Sequence, residues 1–218
     1  MNDKRKLAIV FDIDGTLFDT LPGIEEALSD TYLAYGLGEF DRSTIKQYLG
    51  PPIKDSLMHI KGLSEGIAAE ATEHYRRVYV DKYVNMSKPY MGTYETLKEL
   101  QKQGCSLSIA TLKTRKQVDR LLEISDWKDV IFDHIETAIT DGSLTKADML
   151  KRIKATYDGE YSVIMVGDTE GDRKASMGAD VDFIAAVYGY GYEKTKEYPF
   201  RTIKCIKDIM EELLPKSF

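Results

Sequence analysis

"LAIVFDIDGTLFDT", residues 7–20, sets five apolar residues directly before three aspartates and a Gly-Thr pair. An unbroken apolar run of this length, stopped by turn residues, fits a strand buried on both faces. Asp12, Asp14 and Asp19 then crowd its carboxyl end. Like charges this close repel, and each ionised carboxylate is costly to desolvate, so the group calls for water or a cation.

Working outward, similar runs recur at "CSLSIAT" (105–111), "VIFDHIETA" (130–138), "YSVIMVG" (161–167) and "DFIAAVYG" (182–189). Between most of them lies helical spacing: Val118, Leu121 and Leu122 share a face in "TRKQVDRLLEI", as do Met149, Leu150 and Ile153 in "KADMLKRIKATY". Strands alternating with helices predict an α/β protein with a Rossmann-like parallel sheet covered on both sides. Ligands of such sheets sit beyond the carboxyl ends of the strands. Residues 21–87 break the pattern. They carry no strand signal and read as helices in "GIEEALSDTYLAYG", "STIKQYL", "PIKDSLMHI" and "SEGIAAEATEHYRRVYVDKYV". Ala27, Leu28, Tyr32 and Leu33 form the apolar stripe of the first, and Pro51-Pro52 marks a break. The expectation is a core of residues 1–20 and 88–218 with an inserted α-helical cap over 21–87.

The composition, 43% hydrophobic and 30% charged over 218 residues, is that of an ordinary globular protein. A net charge of −6 without a run of five basic residues speaks against nucleic acid or an anionic membrane as partner. An anionic substrate must then be drawn by a local site. Cys105 and Cys205 lie far apart and outside any C-x-x-C arrangement, so both are expected as buried reduced thiols. Asp12 interrupts the first apolar run too early for a signal peptide, and nothing approaches a membrane span, which predicts a cytoplasmic protein. The oligomeric state stays open.

The spacing of the first motif suggests chemistry. If the strand ends near Asp12, the turn at Gly15 redirects Asp14 into the same pocket, and Gly15-Thr16 would point backbone N–H groups inward as an anion nest. Mg²⁺, which takes carboxylate and carbonyl oxygens, would relieve the repulsion. Taken singly, Asp14-Gly15 is an ordinary turn and Asp19 a helix cap. As a group, D-x-D-G-T-x-x-D fixes five residues and arises by chance on the order of once in three million start positions.

"DIDGTLFD" resembles the first motif of the haloacid dehalogenase superfamily, and three further motifs follow in order. "SIAT" supplies Thr111, "SLTKADML" supplies Lys146, and "IMVGDTEGD" supplies Asp168 and Asp172. The resemblance implies Asp12 as nucleophile and Asp14 as acid/base. It implies Mg²⁺ held by the Asp12 carboxylate, the Asp14 backbone carbonyl and Asp168. Thr111 and Lys146, with Gly15, Thr16 and Leu112, would bind the phosphate, and Asp172 would orient Lys146 or a water. The bland alternatives are that Thr111 caps a helix starting near Lys113 and that Lys146 is a solvated helix-start lysine. Glu170, His59, His74 and His134 are expected in ordinary structural or solvated roles.

Within the superfamily, Asp14 argues against a dehalogenase, and the missing membrane and nucleotide domains argue against an ATPase. "YLGPPIKDSL", "KPYMGTYETLKELQKQG" and "VYGYGYEKTK" look like segments of phosphoglycolate phosphatase-like proteins. The resemblance therefore implies a Mg²⁺-dependent phosphomonoesterase acting on a small phosphorylated metabolite through an aspartyl-phosphate. The alternatives are a 5'-nucleotidase, a β-phosphoglucomutase or a phosphonatase type. From another class stands a non-catalytic phosphate-binding regulator, whose signature would be a missing Asp12, Asp14 or Lys146. Lys54 would meet a substrate carboxylate or simply be solvated. Tyr32, Tyr35, Tyr48, Tyr75, Tyr79 and Tyr83 read as amphipathic core rather than a base-stacking surface.

Overall fold

Strand β1 (Lys6–Phe11) is the middle of the protein. In the computed structural model, which describes residues 6–139, 143–157 and 159–213, its residues Ala8 to Phe11 have no exposed surface. Period-two alternation divides them. Ile9 and Phe11 enter one apolar cluster with Leu107, Ile109, Ile164 and Val166, and Ala8 and Val10 enter the other with Ala110, Met149, Leu150 and Met165. Each large side chain buried this way contributes about 1.5–3 kcal/mol.

The other core strands are β4 (Ser106–Thr114), β5 (His134–Ala138), β6 (Tyr161–Gly167), β7 (Asp182–Ala186) and β8 (Arg201–Ile203). All pair in parallel, in the order β5-β4-β1-β6-β7-β8. The helices of this layer are α4 (Thr93–Lys102), α5 (Arg115–Ser125), α6 (Lys146–Ala155) and α7 (Glu170–Gly178), with α8 (Ile209–Leu213) near the end. The chain builds leftward from β1 through β4 and β5, then returns to β6 on the other side. The strand order reverses at β1, and the crevice at its carboxyl end is where such sheets bind ligands.

Some boundaries depart from the sequence pattern. The third run enters the sheet only at His134, just after the Asp133 N–H bonds the Leu107 carbonyl at 2.7 Å, and the last apolar run leaves it after Ala186. Strand β8 has three residues, too few to show a period. Cys105 is buried as expected, but Cys205 is exposed at a short helical turn and donates to Asp208 Oδ1 at 3.0 Å.

Between Leu21 and Met86 every described element is helical: α1 (Leu21–Ala34), a 3₁₀ turn at Arg42–Tyr48, α2 (Ile53–Lys61), α3 (Glu65–Val78), a π turn at Tyr79–Tyr83 and a 3₁₀ turn at Val84–Met86. Helix α1 opens with proline in its first turn, where no N–H partner is lost, and buries Ile24, Ala27, Leu28, Thr31 and Tyr32. Leu33, assigned to that stripe from sequence, is instead 83% exposed, because the buried face follows the 24-27-28-31 spacing. The chain enters and leaves this segment through a two-stranded antiparallel pair, β2 (Phe18–Asp19) with β3 (Lys88–Pro89).

Asp30 ties α1 to the end of α3. It accepts from Lys82 at 2.8 Å, His74 at 2.9 Å and Tyr83 at 3.2 Å. The Lys82 and His74 bonds lower its carboxyl to about 2, against 3.8 for a free aspartate. A depressed folded-state value stabilises the protein above the unfolded value, and the stabilisation is lost as pH falls towards the folded one. Wild type should therefore melt above Asp30→Asn at neutral pH, with the gap closing between pH 3.8 and about 2. A gap that stays constant through acid would refute the clamp.

Candidate active site

Three strand ends and two helix starts converge beside β1. Asp12 directly follows the strand, and its N–H still bonds the Val166 carbonyl at 3.0 Å, which fixes it in line with the sheet. Asp168 follows β6 directly. Helices α6 and α7 each begin with a capping box, Thr145 with Asp148 and Thr169 with Asp172, so Lys146 and Asp172 are held at first-turn positions. Lys146 Nζ lies 2.9 Å from Asp12 Oδ2 and 2.5 Å from Asp172 Oδ1. Asp12, Asp168 and Asp172 each offer an oxygen within 4.8 Å of the others.

Three buried carboxylates thus face one ammonium. Burial pushes Asp12 up to about 6 even though Lys146 pulls it down, with Asp172 and Asp14 adding to the rise. Burial, then Asp172 and Asp12, hold Asp168 well above the carboxylate range. Burial opposes the charge on Lys146, but Asp12 and Asp172 outweigh it and keep the ammonium above its ordinary value. Asp12 Oδ1 and Asp168 Oδ1 are buried with no hydrogen-bond partner among the described residues. Asp172 differs: Oδ1 holds Lys146, and Oδ2 accepts the Thr169 N–H and hydroxyl at 3.0 and 2.7 Å. Two orphaned oxygens in an electron-rich cluster fit a hard divalent cation, with Asp12 and Asp168 as its free side-chain donors.

Gly15 makes the cluster possible. Its φ is +70°, and a Cβ there would lie 2.0 Å from Asp168 Oδ2. The turn after β7 is equally close: a Cβ on Gly189 would come within 2.3 Å of the Gly15 carbonyl. The nest expected at Gly15-Thr16 is not formed. Gly15 N–H bonds the Phe18 carbonyl at 2.9 Å and Thr16 N–H the Ile13 carbonyl at 3.2 Å, because the tight turn needs both amides to close itself. Tyr190, unremarked in the sequence, donates its N–H to Asp168 Oδ2 at 2.7 Å. Its hydroxyl donates to Asp19 at 2.9 Å and accepts from Thr20 N–H and Leu21 N–H, joining the site to the start of α1. Asp19 accepts from Leu21 N–H at 3.2 Å, which is a helix-start role.

Asp14 points away from the cluster. The Thr20 hydroxyl and Lys113 Nζ both bond its Oδ1, the latter at 3.0 Å. Thr111 Oγ1 accepts the Lys113 N–H at 3.3 Å, leaving its own proton for a ligand. Helix α5 starts at Arg115 under the cap of Thr114, so Thr111 caps no helix. A cavity of about 830 Å³ lies over these groups, lined by Asp12, Asp14, Thr111, Leu112 and Lys146 from the sheet side and by Tyr48, Gly50 and Lys54 from the helical side.

The family model described as haloacid dehalogenase-like hydrolase matches residues 9–186. The chain belongs to this family. A pyrophosphatase PpaX from Bacillus velezensis is 35% identical over 185 residues, 82% of each chain. A phosphoglycolate phosphatase from Psychrobacter arcticus is 27% identical over 86% of each. In structure, a predicted phosphatase from Clostridium acetobutylicum superposes with a TM-score of 0.85 at 26% identity, covering 97% of this chain and 99% of its own. The family, the α/β fold and the phosphatase class expected from the four motifs are borne out.

In this haloacid dehalogenase-like hydrolase the secondary expectations separate cleanly. Tyr32, Tyr75 and Tyr79 are buried, as amphipathic core requires. Lys54 lines the cavity but pairs with Glu65 at 3.1 Å. Glu170 is held by Arg173, His134 bonds the Thr156 hydroxyl, and His74 serves Asp30. Lys113 was missed: it lies two residues beyond Thr111, but β4 shifts register between Thr111 and Thr114, so period-two spacing does not place it. Among the described residues no helix is long and apolar enough to cross a membrane.

Proposed function

We propose that this chain is a Mg²⁺-dependent phosphomonoesterase in which Asp12 is the nucleophile and Asp14 the acid/base. The observation that carries the reading is the state of Asp12: one oxygen paired with Lys146, the other buried beside Asp168 without a partner. Asp12 attacks phosphorus, the bond to the leaving oxygen breaks, and Asp14 delivers a proton to that oxygen. A water then attacks the aspartyl-phosphate and gives its proton to Asp14, the bond between phosphorus and Asp12 breaks, and phosphate leaves with Asp12 again a carboxylate and Asp14 again the acid. Lys146 and the Thr111 hydroxyl bind the non-bridging oxygens, and Asp172 holds Lys146 in place. Asp12, Asp168 and the Asp14 backbone carbonyl would hold Mg²⁺, which offsets the repulsion between carboxylate and phosphate dianion.

The domain reading goes with it. Residues 1–20 and 88–218 are the catalytic core, and residues 21–87 a cap that excludes water from the reacting groups. The substrate is a small phosphorylated metabolite in the cytoplasm. Phosphoglycolate phosphatase and pyrophosphatase among the relatives support a compact anionic leaving group, which Lys54, a lining residue of the cavity, would meet on release from Glu65.

The test is hydrolysis of p-nitrophenyl phosphate with Mg²⁺ and after chelation. Turnover should require the metal, and Mg²⁺ at a hundred times its Kd should stabilise the fold by about 2.7 kcal/mol. Folded protein that binds Mg²⁺ but turns over no phosphoester would instead support a phosphate-binding regulator. A panel of phosphoglycolate, sugar phosphates, nucleoside monophosphates and pyrophosphate then ranks the substrates.

A further inference from the structure

Lys113 is a lysine whose side chain is only 4% exposed, yet the chemistry just described gives it no task. Burying an ammonium is costly unless its surroundings are built for it. Here they are. Nζ lies 3.0 Å from Asp14 Oδ1 on the core side and 4.2 Å from the centre of the Tyr79 ring on the helical side. Tyr79 is itself fixed: it is fully buried, its hydroxyl bonds Ser87 Oγ at 2.9 Å, and Tyr75 stacks on it at 6.2 Å. It also opens the π turn that follows α3. Such turns re-aim side chains and recur at functional sites.

The second observation concerns Asp14. Both of its donors, Lys113 and the Thr20 hydroxyl, bond the same oxygen, Oδ1. Among the described residues nothing bonds Oδ2, and the Asp14 side chain lines the cavity with 28% of its surface open. In a carboxylic acid the carbonyl oxygen is the good acceptor, whereas the hydroxyl oxygen carries the proton. Two donors on Oδ1 therefore leave Oδ2 as the oxygen free to carry and hand over a proton.

We propose that Lys113 is a positioning residue that decides which oxygen of Asp14 carries the transferable proton, and that Tyr79 makes this depend on the helical segment being seated over the core. The inference rests on Asp14 being the acid/base. With Lys113 in place, Oδ2–H gives its proton to the leaving oxygen and later recovers one from the attacking water, while Oδ1 keeps its donors throughout. When the segment carrying Tyr79 lifts, Lys113 loses the ring face that helps hold it on Oδ1, and Asp14 is no longer aligned.

The test compares leaving groups. p-Nitrophenolate departs without protonation, whereas an alkoxide needs the acid. Lys113→Met should cut kcat on an alkyl phosphate at least about tenfold more than on p-nitrophenyl phosphate. Lys113→Arg should restore most of that difference. In an Asp14→Asn background, Lys113→Met should add less than about a twofold loss, since residues acting as a unit are not additive. Should Lys113→Met not fold, Lys113→Gln, a neutral side chain that keeps a weaker hydrogen-bond donor, takes its place, with a smaller loss that still falls more on the alkyl phosphate than on p-nitrophenyl phosphate. Equal loss on both leaving groups, or full additivity with Asp14→Asn, overturns the role of Lys113 while leaving the phosphatase reading intact. Absence of turnover on either substrate by the wild type overturns both.

Discussion

Asp12→Asn is expected to remove turnover by roughly four orders of magnitude or more, the scale on which nucleophile deletions fall. The amide keeps the shape of the carboxylate but cannot attack phosphorus, so the loss should be in kcat rather than in folding. The charge arithmetic makes the prediction sharper. Among the described residues Asp12, Asp168 and Asp172 face the single ammonium of Lys146, and burial already lifts Asp12 to about 6. Removing one of three crowded negative charges should leave the metal-free protein as stable as wild type or more so. Rate measurements paired with thermal melts check both halves. A variant that retains near wild-type rates ends the case for Asp12 as nucleophile.

Gly15→Ala should damage both fold and turnover, by a different route. Left-handed backbone costs an alanine about 1–2 kcal/mol, and the new methyl would stand 2.0 Å from Asp168 Oδ2. Asp168 has little room to retreat, because Gly189 is packed against its Cβ at a distance that already excludes a side chain. Overpacking of this kind adds about 1–3 kcal/mol. The expected outcome is a protein destabilised by about 3 kcal/mol, with Mg²⁺ affinity and turnover both down at least about a hundredfold. Denaturant unfolding and Mg²⁺ titration read these separately. Wild-type Mg²⁺ affinity in a folded Gly15→Ala protein would contradict the packing described.

The sheet and the helical segment were legible because long elements repeat their signal. Four of the five apolar runs start within a residue of a core strand, and Met149, Leu150 and Ile153 are buried as their spacing requires. What escaped has local causes. Strand β8 is too short to carry a period, and Leu33 sits one helical position outside the buried stripe. At the site, the motif aspartates and Lys146 could be named from pattern because their spacing is tied to strand ends. Lys113 and Tyr190 could not. One is recognised only when Asp14 and Tyr79 are brought to it from distant parts of the chain, and the other only when the turn after β7 reaches the start of α1. The hydrogen bonds that engage the Gly15 and Thr16 amides within their own turn are likewise visible only in three dimensions.

Phe18 pairs with Pro89 and Asp19 with Lys88, so the chain enters and leaves the helical segment side by side through one two-rung clasp. A clasp of that kind is indifferent to what it carries. Helices inside it can be lengthened, shortened or exchanged without rethreading the sheet, provided a ring still meets Lys113 where Tyr79 does. The same reaction can therefore be offered to a new molecule by rewriting a single continuous stretch of the gene.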